Sequence, residues 1–186
     1  MCGIAGIYSL EAQPLDSAEK RIMTMMRHQL YRGPDYSGYK ISKDKRLVIA
    51  HSRLSIVDAN TMVKSPFSKG SNTEILSFNG EIYNYKDLKK LLLSKGIEFQ
   101  TNSDTEVLFE CLKFFQDDVY QKIQGMWGFA FYSCRENKLI LSRDLLGERH
   151  IFYAIENNEL IFASEAKAVV SVLQNRSFDF NESITQ

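Results

Sequence analysis

Cys2 stands directly before Gly3 and Ile4 at the start of a 186-residue chain. Methionine ahead of a small residue is normally trimmed in the cytosol. Its removal would leave a cysteine whose thiol and free α-amine belong to one residue. A thiol is intrinsically the most nucleophilic of the ordinary side chains, but near neutrality it needs a base to take its proton. A free α-amine has an unperturbed pKa of about 7.7–8.0, where a general base for neutral pH should lie. Cys2 therefore combines a nucleophile and the holder of its base. The other candidate groups are more scattered. Cys2, Cys111 and Cys134 are widely spaced with no C-x-x-C, which argues against a disulfide framework or a zinc knuckle. His28, His51 and His150 lie far apart without ligand spacing, so no metal site is expected.

The bulk of the chain narrows the classes of partner. Lys plus Arg equals Asp plus Glu, 23 each, so no net field favours nucleic acid or acidic lipid. No apolar run approaches the ~20 residues that span a membrane, and the first residues lack a secretory pattern. With 44% hydrophobic residues the chain can bury one sizeable core. A cytoplasmic, metal-free protein without nucleic-acid or membrane partners is expected.

The elements that must position Cys2 follow from periodicity. Gly3 to Tyr8 reads as a buried strand. Asp16 with Glu19 forms a capping-box pattern ahead of Ile22, Met23, Met26 and Leu30 at helical spacing. The turn-forming Arg32-Gly33-Pro34-Asp35 ends that helix. Strand-like runs follow at 36–41, 47–51 and 74–78. Asn84 can cap a helix carrying Leu88, Leu91 and Leu92 that stops at Gly96. Ser103 with Glu106 caps another, with Val107, Leu108, Cys111, Leu112 and Phe115 on one face. Strands at 127–132 and 139–142, and again at 151–155 and 160–163, are joined by tight polar turns, which require antiparallel pairing. A last helix is expected over 165–173. The pattern predicts an α+β fold of two antiparallel sheets, each covered by helices.

Six strings occur in order: Cys2-Gly3-Ile4-Ala5-Gly6, Arg32-Gly33-Pro34-Asp35, the run His51 to Asp58, Phe78-Asn79-Gly80-Glu81-Ile82-Tyr83-Asn84, Ser103-Asp104-Thr105-Glu106 and Gly125-Met126-Trp127-Gly128-Phe129-Ala130. Together they resemble the glutaminase domain of class II glutamine amidotransferases, most closely that of glutamine-dependent asparagine synthetases. The resemblance runs from Cys2 to about Lys167. It implies a four-layer αββα sandwich of the Ntn-hydrolase type, with residues 2–173 as the glutaminase domain and 174–186 as a tail or the start of an interdomain linker. It also implies roles. Cys2 attacks the glutamine amide carbon and its own amine carries the proton. Asn79 and Gly80 form the oxyanion hole, although Asn-Gly is also the favoured two-residue hairpin turn. Arg53 holds the α-carboxylate and Asp104 the α-ammonium of the substrate. Leu54, Ile56, Val57 and Glu81 line the pocket, and Arg32 stands just outside it, ordering the loop near the nucleophile. His51 reads as a structural residue at a strand end, because an N-terminal nucleophile already has its base.

The chain also departs from the pattern. Where asparagine synthetases carry R-D-x-x-G-x-K-P, this sequence has Arg143-Asp144-Leu145-Leu146-Gly147-Glu148-Arg149-His150, without the Lys-Pro pair. No Ser-Gly-Gly-x-Asp-Ser loop for ATP pyrophosphate occurs in it. No cofactor is therefore expected in this chain, and ATP and Mg are expected only in a synthetase domain or subunit that receives the ammonia. Two alternatives stay open: a catalytically silent glutamine-sensing or docking module of the same fold, and a glutaminase serving an acceptor other than aspartate.

Overall fold

Alternation along the strands assigns each side chain to one of three apolar layers. The computed structural model describes residues 2–11, 13–54, 64–70 and 72–174. Its elements run β1 (Gly3–Ser9), α1 (Ala18–Gln29), β2 (Tyr36–Ile41), β3 (Leu47–Arg53), β4 (Glu74–Ile82), α2 (Tyr85–Ser94), α3 (Asp104–Phe115), β5 (Gly125–Ser133), β6 (Lys138–Arg143), β7 (Phe152–Glu156), β8 (Glu159–Ala163) and α4 (Ala166–Val170). The strands form two sheets, ordered β2-β3-β1-β8-β7 and β4-β5-β6, with all neighbours antiparallel.

In β1, Ile4 and Tyr8 face the other sheet, whereas Ala5 and Ile7 face Ile22 and Met25 of α1 and Ala168 and Val169 of α4. The inter-sheet layer is completed by Leu47, Ile49, Ile75, Ala130, Tyr132 and Phe162. Behind the smaller sheet, Leu76, Phe78, Phe129 and Phe131 pack on Leu88 and Leu92 of α2 and Val107, Leu108 and Leu112 of α3. Helices, sheet, sheet and helices thus stack as four layers, the sandwich expected. Full burial of each such aliphatic or aromatic side chain contributes about 1.5–3 kcal/mol. Gly6 decides how closely the inter-sheet layer packs: a Cβ there would lie 2.3 Å from the Phe162 ring.

Local details differ from the sequence reading. In α1 the buried residues are Ile22, Met25 and Gln29, while Met23 and Leu30 are exposed. Of the expected face, Ile22 is buried and Met26 packs half-buried against the same layer, while Met25 and Gln29 take the places expected of Met23 and Leu30. The N-cap of α1 is Ser17 at φ 49°, with no side-chain cap. Glu19 of the expected capping box instead accepts a hydrogen bond from the Tyr39 hydroxyl at 2.9 Å. Asn84 does hold the N-cap position of α2, but its side chain makes no capping bond and instead bridges Lys122 O and Gln124 N–H. Leu91 is exposed, and only Leu88 and Leu92 of its expected trio are buried. The Ser103 cap does form, accepting from Glu106 N–H at 3.2 Å. The last helix is shorter than expected, Ala166–Val170.

Candidate active site

Strand register gathers the reactive residues at one end of the inter-sheet layer. Gly3 pairs with Ser52 and Ile4 with His51, so the Cys2 end of β1 lies beside the Arg53 end of β3. Leu47 and Ile49 face the smaller sheet, and alternation puts His51 and Arg53 on that same face. Cys2 continues the phase of Ile4. From the smaller sheet, Ser77 and Asn79 continue the phase of Ile75. A cavity of about 450 Å³ opens here, lined by Cys2, His51, Arg53, Leu54, Gly80 and Asp104, with Tyr85 and Asn102 at its helix side.

Cys2 is held through its neighbours. Ile4 N–H donates to Ser164 Oγ at 3.0 Å, and Ser164 N–H donates back to Ile4 O at 2.8 Å. Arg32 Nε donates to the Cys2 carbonyl at 3.0 Å, and the same guanidinium pairs with Glu165 at 2.5 Å. Burial works to raise the Glu165 pKa, but Tyr31 and Arg32 outweigh it and hold the carboxyl below its usual value. Arg32 thus stands behind the nucleophile and outside the cavity wall. The loop carrying it lies flat on β3, since Asp35 N–H donates to Arg53 O at 3.1 Å. Gly33 permits this approach: a Cβ would fall 2.3 Å from Arg53 N.

Asn79 and Gly80 do not form a turn. They lie inside β4, which runs on to Ile82, and pair with Gly128 and Trp127 of β5. The Asn-Gly preference for hairpins yields here to a nine-residue ladder whose apolar face packs on two helices. A Cβ at position 80 would lie 2.1 Å from Met126 O, so only glycine fits. Asn79 is buried, and its Nδ2 has no hydrogen-bond partner among the described residues. A buried unpaired amide is costly, by about 1–3 kcal/mol, unless something else uses it.

The opposite wall comes from α3. Asp104 opens that helix, and its Oδ2 accepts from Ile82 N–H at 3.2 Å, tying the helix N-terminus to the end of β4. Burial raises the Asp104 pKa, with Glu81 adding repulsion, against the lowering effect of the Ile82 and Thr105 amides. Glu81 itself is exposed on β4 and acts on the site as a negative charge beside Asp104. Leu54 lies in the cavity wall. Ile56 and Val57, expected in the pocket, lie outside the described residues.

Two residues escaped the sequence reading of the site. His51 lines the cavity, with Nδ1 3.3 Å from Ser77 Oγ. Burial, assisted by the Arg53 guanidinium, pushes its pKa down to about 4, so the ring is neutral at physiological pH. Asp144, from the string that departs from the synthetase pattern, braces β5 opposite Gly80. Its carboxylate accepts from Glu148, Arg149 and Trp127 amides at 3.0, 3.2 and 3.3 Å. Burial works against its charge, but these amides prevail and hold its pKa below the usual range. Among the described residues no group of three or more His, Cys, Asp or Glu could hold a metal, and no helix is long and apolar enough to cross a membrane.

The family model of the glutamine amidotransferase domain matches residues 1–184. The chain belongs to this family. This glutamine amidotransferase domain is 36% identical over 177 residues to asparagine synthetase [glutamine-hydrolyzing] 1 of Bacillus subtilis, covering 94% of this chain and 27% of that one. It is 34% identical over 173 residues to asparagine synthetase B [glutamine-hydrolyzing] of Escherichia coli, covering 92% and 30%. The domain thus spans under a third of the length of these curated relatives. Among solved structures it superposes on the glutamine phosphoribosylpyrophosphate amidotransferase of B. subtilis with a TM-score of 0.71, at 22% identity, over 91% of this chain and 43% of that one. A second match, an allosteric regulatory enzyme of purine biosynthesis, gives 0.74 at 20% identity, with the same coverage. These structural matches establish the Ntn-type fold of the amidotransferase domain.

Proposed function

We propose that this domain hydrolyses L-glutamine to L-glutamate and ammonia through a thioester on Cys2. The observation that carries the reading is the shared cavity: Cys2 just ahead of β1, Gly80 of β4, Arg53 of β3 and Asp104 of α3 line one space of about 450 Å³. With Met1 removed, the Cys2 α-amine takes the thiol proton and the thiolate attacks the side-chain amide carbon. The oxyanion that forms is stabilised by the Asn79 side-chain amide and the Gly80 backbone N–H. The proton passes from the α-amine to the departing ammonia, and water then cleaves the thioester. Arg53 holds the α-carboxylate through paired N–H donors, and Asp104 holds the α-ammonium. Requiring both ends selects free glutamine over a peptide-linked amide.

The ammonia would pass to an ATP-dependent synthetase part, as the names of the relatives suggest, with ATP and Mg bound there. Aspartate is the first acceptor to test, since the B. subtilis and E. coli relatives are asparagine synthetases. The inferred setting is the cytoplasm, where Met1 can be trimmed. The deciding experiment is glutamate release from L-glutamine by processed protein, alone and with a synthetase chain added. Cys2→Ala should abolish release while leaving the thermal unfolding temperature within a few degrees, and protein retaining Met1 should be equally silent. Full activity in Cys2→Ala would overturn the reading. Glutamine binding without glutamate release would instead make the domain a sensing module.

A further inference from the structure

The hydrogen bonds around His51 fix where its proton sits. Ser77 Oγ has one hydrogen, and the Ala50 carbonyl, 3.0 Å away, can only accept. Ser77 therefore donates to Ala50 and has only lone pairs left for His51. Nδ1 of His51, 3.3 Å from that oxygen, must be the donor. In a neutral imidazole the other nitrogen then carries a lone pair. Nδ1 is engaged on the Ser77 side, and Nε2 is the ring's one remaining polar atom for the cavity that His51 lines.

The register sets what that lone pair can reach. His51 is directly opposite Ile4, and Cys2 lies two residues back on the same face, the diagonal neighbour across the ladder. Such diagonal positions are about 7–8 Å apart at Cα and within reach of an aromatic side chain. Besides His51, the charged or titratable groups lining the same cavity are Cys2 just before β1, Arg53 on β3, Tyr85 at the start of α2 and Asp104 on α3, while β4 offers Phe78 and Gly80, neither of them titratable. We propose that His51 is a positioning residue for the reaction at Cys2. Fixed as the Nδ1–H tautomer by Ser77, it accepts at Nε2 a hydrogen bond from the α-ammonium that forms when the Cys2 amine takes the thiol proton. The bond aims another N–H of that ammonium at the departing nitrogen; His51 neither takes nor gives a proton. With its pKa near 4, the ring stays unprotonated beside the ammonium.

The proposal rests on the reading of Cys2 as the attacking group, and the test separates the two. His51→Asn keeps an amide N–H where Nδ1 stood and so can retain the Ser77 bond, but puts nothing where Nε2 stood. His51→Gln reaches the Nε2 position with an amide oxygen and gives up Ser77. The expected result is a fall in kcat of about 10-fold or more for His51→Asn, the scale of one lost hydrogen bond to a charged group, with KM within about threefold. His51→Gln should recover most of that loss. A purely structural His51 predicts the reverse order, so turnover retained by Asn, or lost equally in Gln, would overturn the proposal. Thermal unfolding of both variants checks that each is folded. Independently, nitrogen NMR of imidazole-labelled wild-type protein should show Nε2 unprotonated at neutral pH. A protonated Nε2 in protein that releases glutamate overturns this proposal alone. Absence of glutamate release from processed wild-type protein overturns the hydrolytic reading, and the proposal with it.

Discussion

At the end of the inter-sheet layer away from Cys2, polar groups close on one another. Tyr132 donates to Asp44 at 2.5 Å, Ser42 donates to the same carboxylate at 2.6 Å, and Arg46 N–H donates to it at 3.2 Å. The Arg46 guanidinium bonds Ser9 O and Asn137 and lies over the Tyr8 ring. At the Cys2 end the same two sheets hold apart around a cavity, and the buried Asn79 amide has no partner among the described residues. One fold thus spends its polar groups in two ways. At the closed end Arg46 Nε alone of that cluster has no partner among the described residues, and the bonded donors around it fix the layer's geometry. The Asn79 donor, by contrast, held unsatisfied by rigid strands beside the cavity, is preorganised for charge that appears only during a reaction.

The sharpest way to break that comparison is Asn79→Ala. The Asn79 Nδ2 has no bond to lose among the described residues, so removal of the side chain should leave stability within about 1 kcal/mol, or raise it, because an unpaired amide disappears. Turnover should fall about 10²–10³-fold, the usual effect of deleting one oxyanion donor. Glutamate-release kinetics beside a denaturant titration separate the two quantities. A large loss of stability with little loss of kcat would make Asn79 a residue of the same kind as Tyr132.

Much of this contrast was legible in the sequence, for identifiable reasons. The strands of both sheets alternate strongly enough to be read, and the two tight polar turns, at 135–138 and 156–159, force antiparallel neighbours. Cys2, Arg53, Gly80 and Asp104 could be named because they sit in ordered strings, and the structure brings them to one cavity. What could not be read depends on contacts between distant segments. His51 looks like any strand-end histidine until the register places it diagonal to Cys2 and beside Ser77. Asp144 looks like a loop acid until three amides from two segments converge on it. Asn79-Gly80 looks like a turn because local preference is visible in sequence, whereas the long ladder that overrides it is not.

Asp104 lies between the two kinds of behaviour, since it is bonded within the protein and also faces the cavity. Asp104→Asn can keep the bond from Ile82 N–H but removes the charge. KM for glutamine should rise roughly 10-fold or more, with a smaller change in kcat, on the scale of one charge-assisted bond. The sign on stability is opposite. A carboxyl whose pKa is raised by folding binds its proton more tightly when folded, so its ionisation weakens the fold above its unfolded pKa. At neutral pH the Asn variant should therefore be at least as stable as wild type. For the same reason kcat/KM of the wild type should lose activity in acid at a pH above the ordinary aspartate value of 3.8. An acid limb at or below that value would mean the cavity does not withhold solvent from Asp104.

The smallest expected effect is at the closed end, and it is structural only. Burial and the Asp44 carboxylate push the Tyr132 pKa up, so the phenol stays protonated and donates throughout the accessible pH range. Burial works to raise the Asp44 pKa, but Ser42, Tyr132 and the Arg46 amide together hold it below its usual value. A carboxylate with a lowered folded pKa supports the fold above its unfolded pKa, and that support is lost as pH falls through the folded pKa. Tyr132→Phe removes one bond from this cluster while keeping the ring in its packed position against Tyr8. It should destabilise the protein by about 1–2 kcal/mol, lowering the unfolding temperature by roughly 2–4 °C for each kcal/mol in a chain of this size. The difference from wild type should shrink in acid, as Asp44 takes up its proton in both. Glutamate release per folded molecule should not change. If turnover fell with it, the two ends of the layer would be mechanically coupled through β1 and β3, and the distinction between closed and open polar groups would hold for stability but not for catalysis.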